Sequence, residues 1–215
     1  MSLDLSTPET VARARADLRI GAPVALSTPE GDALAMAAER ATPERLAALA
    51  ALGPLDLALP ARRAATLKAR AYDGDLARIA LGADFDIARL RAAVDPARAL
   101  DAPLIGPFLT RREGSAAAHR LALTLCKQAR ILPAALVVPV ADAAALARAH
   151  GLTLLRAGDL ASADAASVRL APVSVARVPL EVNENARVHV FRPEDGGSEE
   201  RRVGKECRSR WSPYH

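Results

Sequence analysis

The sequence predicts an α+β fold of the layered α/β kind, followed by the start of a second, β-rich domain. Three observations lead to this prediction. Thr-Pro-Glu occurs at 7–9 and again at 42–44, and a hydroxyl residue, a proline and an acid in this order are typical of a helix start. Short apolar runs lie between the helical segments. Two further strand-like runs follow a linker rich in Ser, Ala and Asp after residue 163.

The first 36 residues predict a helix and a hairpin. Val11, Ala14 and Leu18 recur on one helical face, and Gly21 ends the helix. Residues 23–26 form an apolar strand, and 28–32 contain the Pro and Gly of a turn. The chain then returns as a strand at 33–36.

The middle of the chain starts regularly and then loses its pattern. The helix that starts at Thr42 is ended by Gly53, and 55–59 alternates as a strand does. Residues 61–67 predict a short helix with Arg62 and Arg63 exposed. Residues 71–110 are broken by prolines, with one helix predicted at 86–93.

The later segments alternate again between helix and strand. The longest helix is predicted at 116–130, followed by a nearly continuous apolar run at 134–138, which is typical of a buried strand. A helix at 141–150 ends at Gly151, and a strand follows at 152–155. Beyond the linker, 173–180 and 186–192 are predicted strands.

Composition limits the function classes. A hydrophobic fraction of 51% supplies a core, although aromatic residues make up only 3% of the chain. Arginines are scattered through helical segments rather than clustered with aromatic residues, so no nucleic-acid partner is predicted. Charged residues interrupt every apolar run, so we expect no membrane span and a cytoplasmic protein. Cys126 lies in an apolar helical run, where a small buried residue is expected.

Residues 198–215 differ from the rest of the chain. They contain the only Trp, one of the two Cys and one of the two Tyr, and they resemble the in-frame translation of a sequencing-library adapter. We therefore expect this tail to be non-native and the natural sequence to be cut at about Gly197. The tail holds five of the 29 Lys and Arg residues and three of the 25 Asp and Glu residues, so the net charge without it is about +2 rather than +4. Cys207 and Trp211 are given no functional weight.

Residues 12–50 resemble the opening of 3,4-dihydroxy-2-butanone 4-phosphate synthases. That family has a helix, a Gly, an apolar strand, an Arg-Glu-x-Glu-Gly-Asp loop and a strand leading to Ala-Glu. This chain has Ser-Thr-Pro-Glu-Gly-Asp at 27–32 and Ala-Ala-Glu at 37–39. Ala-Arg-Arg-Ala-Ala-Thr at 61–66 is similar to the family's Ala-Asp-Arg-Ala-x-Thr, and 146–160 resembles its last motif. The resemblance implies a rearrangement of ribulose 5-phosphate with loss of formate, which needs magnesium held by a loop carboxylate and a histidine.

This chain departs from the synthase pattern where the chemistry resides. Ser-Thr at 27–28 replaces Arg-Glu, so only Glu30 and Asp32 remain as weak remnants of the acidic loop. Gly-Ser-Ala-Ala-Ala at 114–118 replaces Gly-His-Thr-Glu-Ala, which removes the histidine ligand. Val-Pro-Val at 138–140 replaces a strand end with a carboxylate. We therefore predict a degenerate, non-catalytic domain without a confident catalytic or metal residue, in which Glu30 and Asp32 belong to a solvated turn. His119 and His150 are expected to be surface or packing histidines.

A second resemblance begins after the linker. Ala-Arg-Val-Pro-Leu at 176–180, an apolar strand at 186–192 and Asp-Gly-Gly at 195–197 are similar to the first hairpin of GTP cyclohydrolase II. That family uses zinc, held by three cysteines further along, to open the guanine ring of GTP with release of formate and pyrophosphate. Those cysteines are absent here, so zinc and GTP are implied for the complete parent protein only, and no cofactor is expected in this fragment.

Together these resemblances predict a fragment of a GTP cyclohydrolase II-family protein of riboflavin biosynthesis. The expected parts are a degenerate synthase-like domain at 1–165, a linker and truncated cyclohydrolase hairpin at 166–197, and the tail at 198–215. Two alternatives stay open. One is a divergent, still active synthase that uses Glu30, Asp32 and magnesium, with His119 as a replacement ligand. The other is a non-enzymatic dimerisation or interaction module. A homodimer is the expected assembly, since the family forms dimers.

Overall fold

The computed structural model describes residues 4–82, 85–98, 106–160, 170–178, 187–193 and 199–203. The chain divides into two compact units, residues 1–163 and 164–215. The linker after residue 163, the Asp-Gly-Gly turn at 195–197 and the tail beyond residue 203 lie outside the described residues. Among the described helices, none has the length and apolar character that crossing a membrane requires.

The first unit is a six-stranded mixed sheet with helices on both faces. Its helices are α1 (Thr7–Ile20), α2 (Pro43–Ala50), α3 (Ala61–Thr66), α4 (Ile87–Val94), α5 (Ala117–Gln128) and α6 (Ala143–His150). Its strands are β1 (Val24–Thr28), β2 (Gly31–Ala37), β3 (Asp56–Pro60), β4 (Leu76–Ala80), β5 (Ala135–Val140) and β6 (Leu154–Arg156). The strand order is β4-β3-β5-β2-β1-β6, and all pairs are antiparallel except β1 with β6. The predicted α+β fold is confirmed.

Strand alternation divides the core into two clusters, one on each face of the sheet. Leu34 and Met36 of β2 pack with residues of α2, α4 and α6, whereas their neighbours Ala33 and Ala35 pack with α1 and α5. This separation follows from the period of two along a strand. β5 is buried on both faces, as its continuous apolar run predicts.

Both Thr-Pro-Glu helix starts are used, with a shift at the first, whereas α2 ends at Ala50 rather than at Gly53. Thr42 caps α2 by accepting a hydrogen bond from the Arg45 amide at 3.3 Å. The cap of α1 is Ser6 rather than Thr7, because the Glu9 carboxylate reaches back to both the amide and the hydroxyl of Ser6, at 2.8 and 2.6 Å.

Two expectations for the middle of the chain are wrong. β4 lies in the segment that showed no regular pattern, because Arg78 interrupts its short apolar run. Arg63 is half-buried rather than exposed. Its Nε donates to the Ala93 carbonyl and its Nη2 to the Ala92 carbonyl, both at 2.9 Å. The Arg63 side chain thus satisfies carbonyls that the end of α4 leaves without a helical partner.

The second unit contains an antiparallel sheet of β7 (Leu170–Arg177), β8 (Arg187–Pro193) and β9 (Glu199–Val203), in the order β7-β8-β9. The first two strands match the predicted hairpin strands. β9 belongs to the adapter-like tail. Its pairing does not bear on the origin of the tail, because the free edge of a strand accepts extended chains of many sequences.

Candidate active-site cleft and its relatives

A cleft of about 320 Å³ opens in the first unit beside the turn between β1 and β2. The β1–β2 turn forms one wall, and the segment that leads into α5 forms the other. Residues from separate sequence motifs line the cleft together, including Glu30, Asp32 and Ser115. Three further residues also line the cleft, Asp56, Arg78 and Arg111, and no motif in the sequence pointed to them.

Glu30 and Asp32, the two remnants of the acidic loop, both have protein partners. The exposed Glu30 carboxylate accepts a hydrogen bond from the Ser115 hydroxyl across the cleft. Half-buried Asp32 accepts from the Ala143 amide at 2.9 Å, in the first turn of α6. A carboxylate at this helix end is favourable because the amides there lack helical partners. The carboxylate of Asp32 is therefore engaged in holding β2 to α6.

Thr28 stands where the synthase pattern has the loop Glu, and its hydroxyl is used within the turn. It donates to the Gly31 carbonyl at 2.7 Å and accepts from the Glu30 amide at 3.3 Å. These local bonds are typical of a threonine that stabilises a turn. No carboxylate takes the place of the missing glutamate at this position.

Asp56 forms the centre of the buried part of the cleft. Its side chain is 6% exposed. Its Oδ1 accepts from the Arg111 Nε at 2.9 Å, and its Oδ2 lies 3.4 Å from the His119 Nε2. β3 supplies Asp56, α5 supplies His119 and the segment before α5 supplies Arg111. His119 is buried and its ring nitrogens make no hydrogen bond, but the Asp56 carboxylate is an acid neighbour that the sequence did not predict.

Arg78 fixes the second wall of the cleft. It is buried on β4 and forms two bonds to the Asp73 carboxylate, at 2.8 and 3.1 Å. Its Nη1 also donates to the carbonyls of Glu113 and Ser115, at 3.0 and 3.3 Å. This fork geometry suits a guanidinium, which presents several donors in one plane. Arg78 thereby sets the path of the chain immediately before α5.

The ionisable groups outside the cleft whose pKa values are shifted include Asp75 and Cys126. Arg120 of α5 hydrogen bonds to the exposed Asp75 and lowers the pKa of that carboxyl below its ordinary value. Burial raises the pKa of the Cys126 thiol to about 12, and Cys126 packs in the core beneath α5 as the sequence predicted.

The side chains of the cleft do not fit a magnesium ion. Mg²⁺ prefers oxygen ligands in octahedral geometry and is often bound through one or two carboxylates. Here the Asp56 carboxylate is paired with Arg111, Glu30 with Ser115, and Asp32 with the α6 amide. The part of the chain that the structure describes contains no group of three or more His, Cys, Asp or Glu side chains that could hold a metal ion.

The fold defines the class of protein. It is the fold of the 3,4-dihydroxy-2-butanone 4-phosphate synthases. A two-domain synthase, RibBX of A. baumannii, matches with a TM-score of 0.56 and 16% identity, over 91% of this chain and 70% of that chain. A synthase in cation-free form matches with a TM-score of 0.54 and 16% identity, over 73% of this chain and 97% of its own. A synthase in complex with two magnesium ions has a TM-score of 0.51 at 16% identity, over 76% of this chain and 98% of its own.

The relative found by sequence has a different name from the structural relatives. The chain is 33% identical over 208 residues to GTP cyclohydrolase-2 of Azospirillum brasilense, an alignment that covers 93% of this chain and 54% of the relative. The chain thus spans about half the length of the curated relative that it matches. No protein-family model matches the chain. The resemblances recognised in the sequence are confirmed: the chain matches a GTP cyclohydrolase-2, and it has the fold of the synthases.

Proposed function

We propose that this chain is the front portion of a GTP cyclohydrolase II-family protein whose synthase-like domain is structural rather than catalytic. The complete protein would open the guanine ring of GTP with zinc, through cysteines that lie beyond residue 197. Residues 1–165 would support the stability or assembly of that protein. The described part of this chain would perform neither reaction.

One observation carries the proposal: three of the four acids that line the cleft are held by protein partners, and the fourth, Glu113, is exposed at its rim. Enolisation of a sugar phosphate needs a carboxylate or another base with a free lone pair beside the substrate. Asp56 is paired with Arg111, Asp32 binds the start of α6, and Glu30 binds Ser115. The ligands of the family's metal ion are replaced by the hydroxyl residues Thr28 and Ser115. The family's metal ligands are thus missing, and the three carboxylates are oriented by the protein rather than towards a substrate.

Formate release tests the missing synthase activity. The purified chain is incubated with ribulose 5-phosphate and magnesium, and formate is measured beside an active synthase as a positive control. We expect formate at the level of the enzyme-free blank. Formate release above that level that disappears in Glu30→Gln would contradict the proposal and establish the divergent synthase instead.

The divergent-synthase alternative has one observation in its favour. The cleft keeps a volume of about 320 Å³, and Glu30, Asp32 and His119 all line it. The burial of both His119 nitrogens weighs against it, because a replacement metal ligand needs an accessible lone pair. The Glu30→Gln control separates the two cases, since Glu30 is the exposed one of the two acids that this alternative uses.

The assignment to the cyclohydrolase family is tested by the nucleotide sequence of the gene. We expect sequence that continues past codon 197 to encode a Cys followed by Cys-x-Cys, the zinc ligands of the family. The nucleotide sequence at the junction should show adapter bases starting within the Gly197 codon. A continuation without these cysteines overturns the cyclohydrolase assignment.

We further propose that the first unit assembles as a homodimer, as its family resemblance implies. Light scattering on the purified chain is expected to give twice the mass of 22.5 kDa. A monomer across micromolar concentrations would remove dimerisation as the role of the domain and leave stabilisation of the parent protein.

A further inference from the structure

A cation that joins the two walls of the cleft would have to lie between the β1–β2 turn and the start of α5. We propose that two direct contacts take the place of a divalent cation, so that the domain keeps its shape without metal: Glu30 with Ser115 joins the two walls, and Asp56 with Arg111 joins the second wall to β3. This inference rests on the proposed non-catalytic function of the domain.

The first contact joins the outer rim. Glu30 lies at the tip of the turn, and the Ser115 hydroxyl that donates to it is 85 residues away in sequence. The same hydroxyl oxygen accepts from the Ala117 amide at 3.0 Å, in the first turn of α5. Ser115 thus uses both its donor and an acceptor lone pair within the protein. Turn and helix are linked by a hydrogen bond at the place where a metal bridge would otherwise act.

The second contact neutralises the buried acid. A carboxylate as buried as Asp56 is costly unless a positive group or several donors compensate it. Arg111 supplies that charge through Nε at 2.9 Å. A magnesium ion at Asp56 would have to displace the guanidinium. The buried His119 nitrogens, with a carboxylate oxygen 3.4 Å away, offer such an ion no open coordination position.

Thermal unfolding of the full chain tests this inference without any activity measurement. With millimolar magnesium or with EDTA, the wild-type Tm is expected to be the same within about 1 °C, because an ion that binds the folded state would raise it. Arg111→Met is expected to lower Tm by roughly 5 °C, since it leaves Asp56 buried and uncompensated; the loss is moderate because Arg111 is 40% exposed and solvent screens its charge in the wild type. Arg111→Lys, which keeps the charge, should lie between the two.

Arg112 provides the matched control. It is the exposed neighbour of Arg111, and its guanidinium lies 4.8 Å from the Tyr72 ring outside the cleft. Arg112→Met is expected to change Tm by less than about 2 °C. An equal loss in the two methionine variants would show that Arg111 has no special role and would overturn the inference.

A second measurement keeps the inference testable if Arg111→Met does not fold. Manganese is added to the wild-type chain, and paramagnetic broadening of the His119 ring resonances is recorded by NMR. No selective broadening is expected. Selective broadening, or a magnesium-dependent rise in wild-type Tm of several degrees, would overturn the inference even if no formate is released. Release of formate in EDTA would instead overturn the proposed function and leave the inference standing.

Discussion

Replacing Arg78 should be the most costly arginine substitution in the first unit. The variant Arg78→Met removes a guanidinium that is 3% exposed and leaves the Asp73 carboxylate, 14% exposed, without its partner. It also removes the donor to the carbonyls of Glu113 and Ser115. Loss of one partner of a buried ion pair costs about 3–5 kcal/mol. The carbonyls recover part of their bonding from water, so we expect a loss of about 4 kcal/mol in the free energy of unfolding.

Arg120 supplies the comparison. It forms a similar two-bond contact with Asp75, but the side chains are 47% and 57% exposed. Exposed pairs contribute about 0–1 kcal/mol, so Arg120→Met should be nearly neutral. Geometry is similar in the two pairs, and burial is the variable.

Urea unfolding followed by far-UV circular dichroism measures both variants. The midpoint should fall steeply for Arg78→Met and little for Arg120→Met, with unchanged slopes. Arg78→Lys should recover less than half of the loss, because an ammonium does not reproduce the fork. A loss below about 1 kcal/mol for Arg78→Met, or equal losses in the two methionine variants, would refute the reasoning from burial.

Three further outcomes follow from single contacts. Because burial raises the pKa of the Cys126 thiol to about 12, alkylation at pH 8 should modify it only after unfolding, as peptide mass spectrometry would show; rapid labelling of the native chain would contradict this. The pKa of Asp75 is lowered by Arg120, so its contribution to stability is present above the unfolded pKa of 3.8 and is lost as pH falls through the folded value. The slope of stability against pH below about 5 should therefore flatten in Arg120→Met, and an unchanged slope would argue against the pair. Gly21 ends α1 at φ +80°, where an added Cβ would lie 3.0 Å from the Arg40 carbonyl, so Gly21→Ala should cost about 1–2 kcal/mol by urea unfolding; a neutral result would mean that the turn adapts.

Local sequence signals predicted most of the helices and strands. Helix starts, terminal glycines and short apolar runs predicted α1 to α6 and every strand of the first sheet except β4. β4 was missed because its stability does not reside in its own residues. Its central Arg78 is tolerated only because Asp73 and two carbonyls of a distant segment satisfy the guanidinium. A sequence window cannot show a partner 35 or more residues away.

The residues of the cleft divide in the same way, into those that the sequence predicted and those that it did not. The sequence shows where this chain departs from the synthase pattern, because each difference stands within a short motif. It did not predict that Asp56 would lie at the centre. In Leu-Asp-Leu-Ala-Leu at 55–59, the period of two places Asp56 opposite the leucines, a position that is solvent-facing in many sheets. Here helices cover both faces, so that position is buried.

The sequence by itself predicted α1 to α6 and the strands of the first sheet except β4, the resemblance to two families, and the replacement of the synthase pattern's acidic and histidine residues. These are properties of contiguous motifs, in which residue type and spacing carry the information. Only the tertiary structure decided what the remaining charged residues do. Asp56, Arg111 and His119 come from β3, the segment before α5 and α5 itself, and packing alone brings them within hydrogen-bond or ion-pair distance. Whether a carboxylate is free to bind or already neutralised depends on such distant partners, because the cost of burying a charge is set by what surrounds it in space.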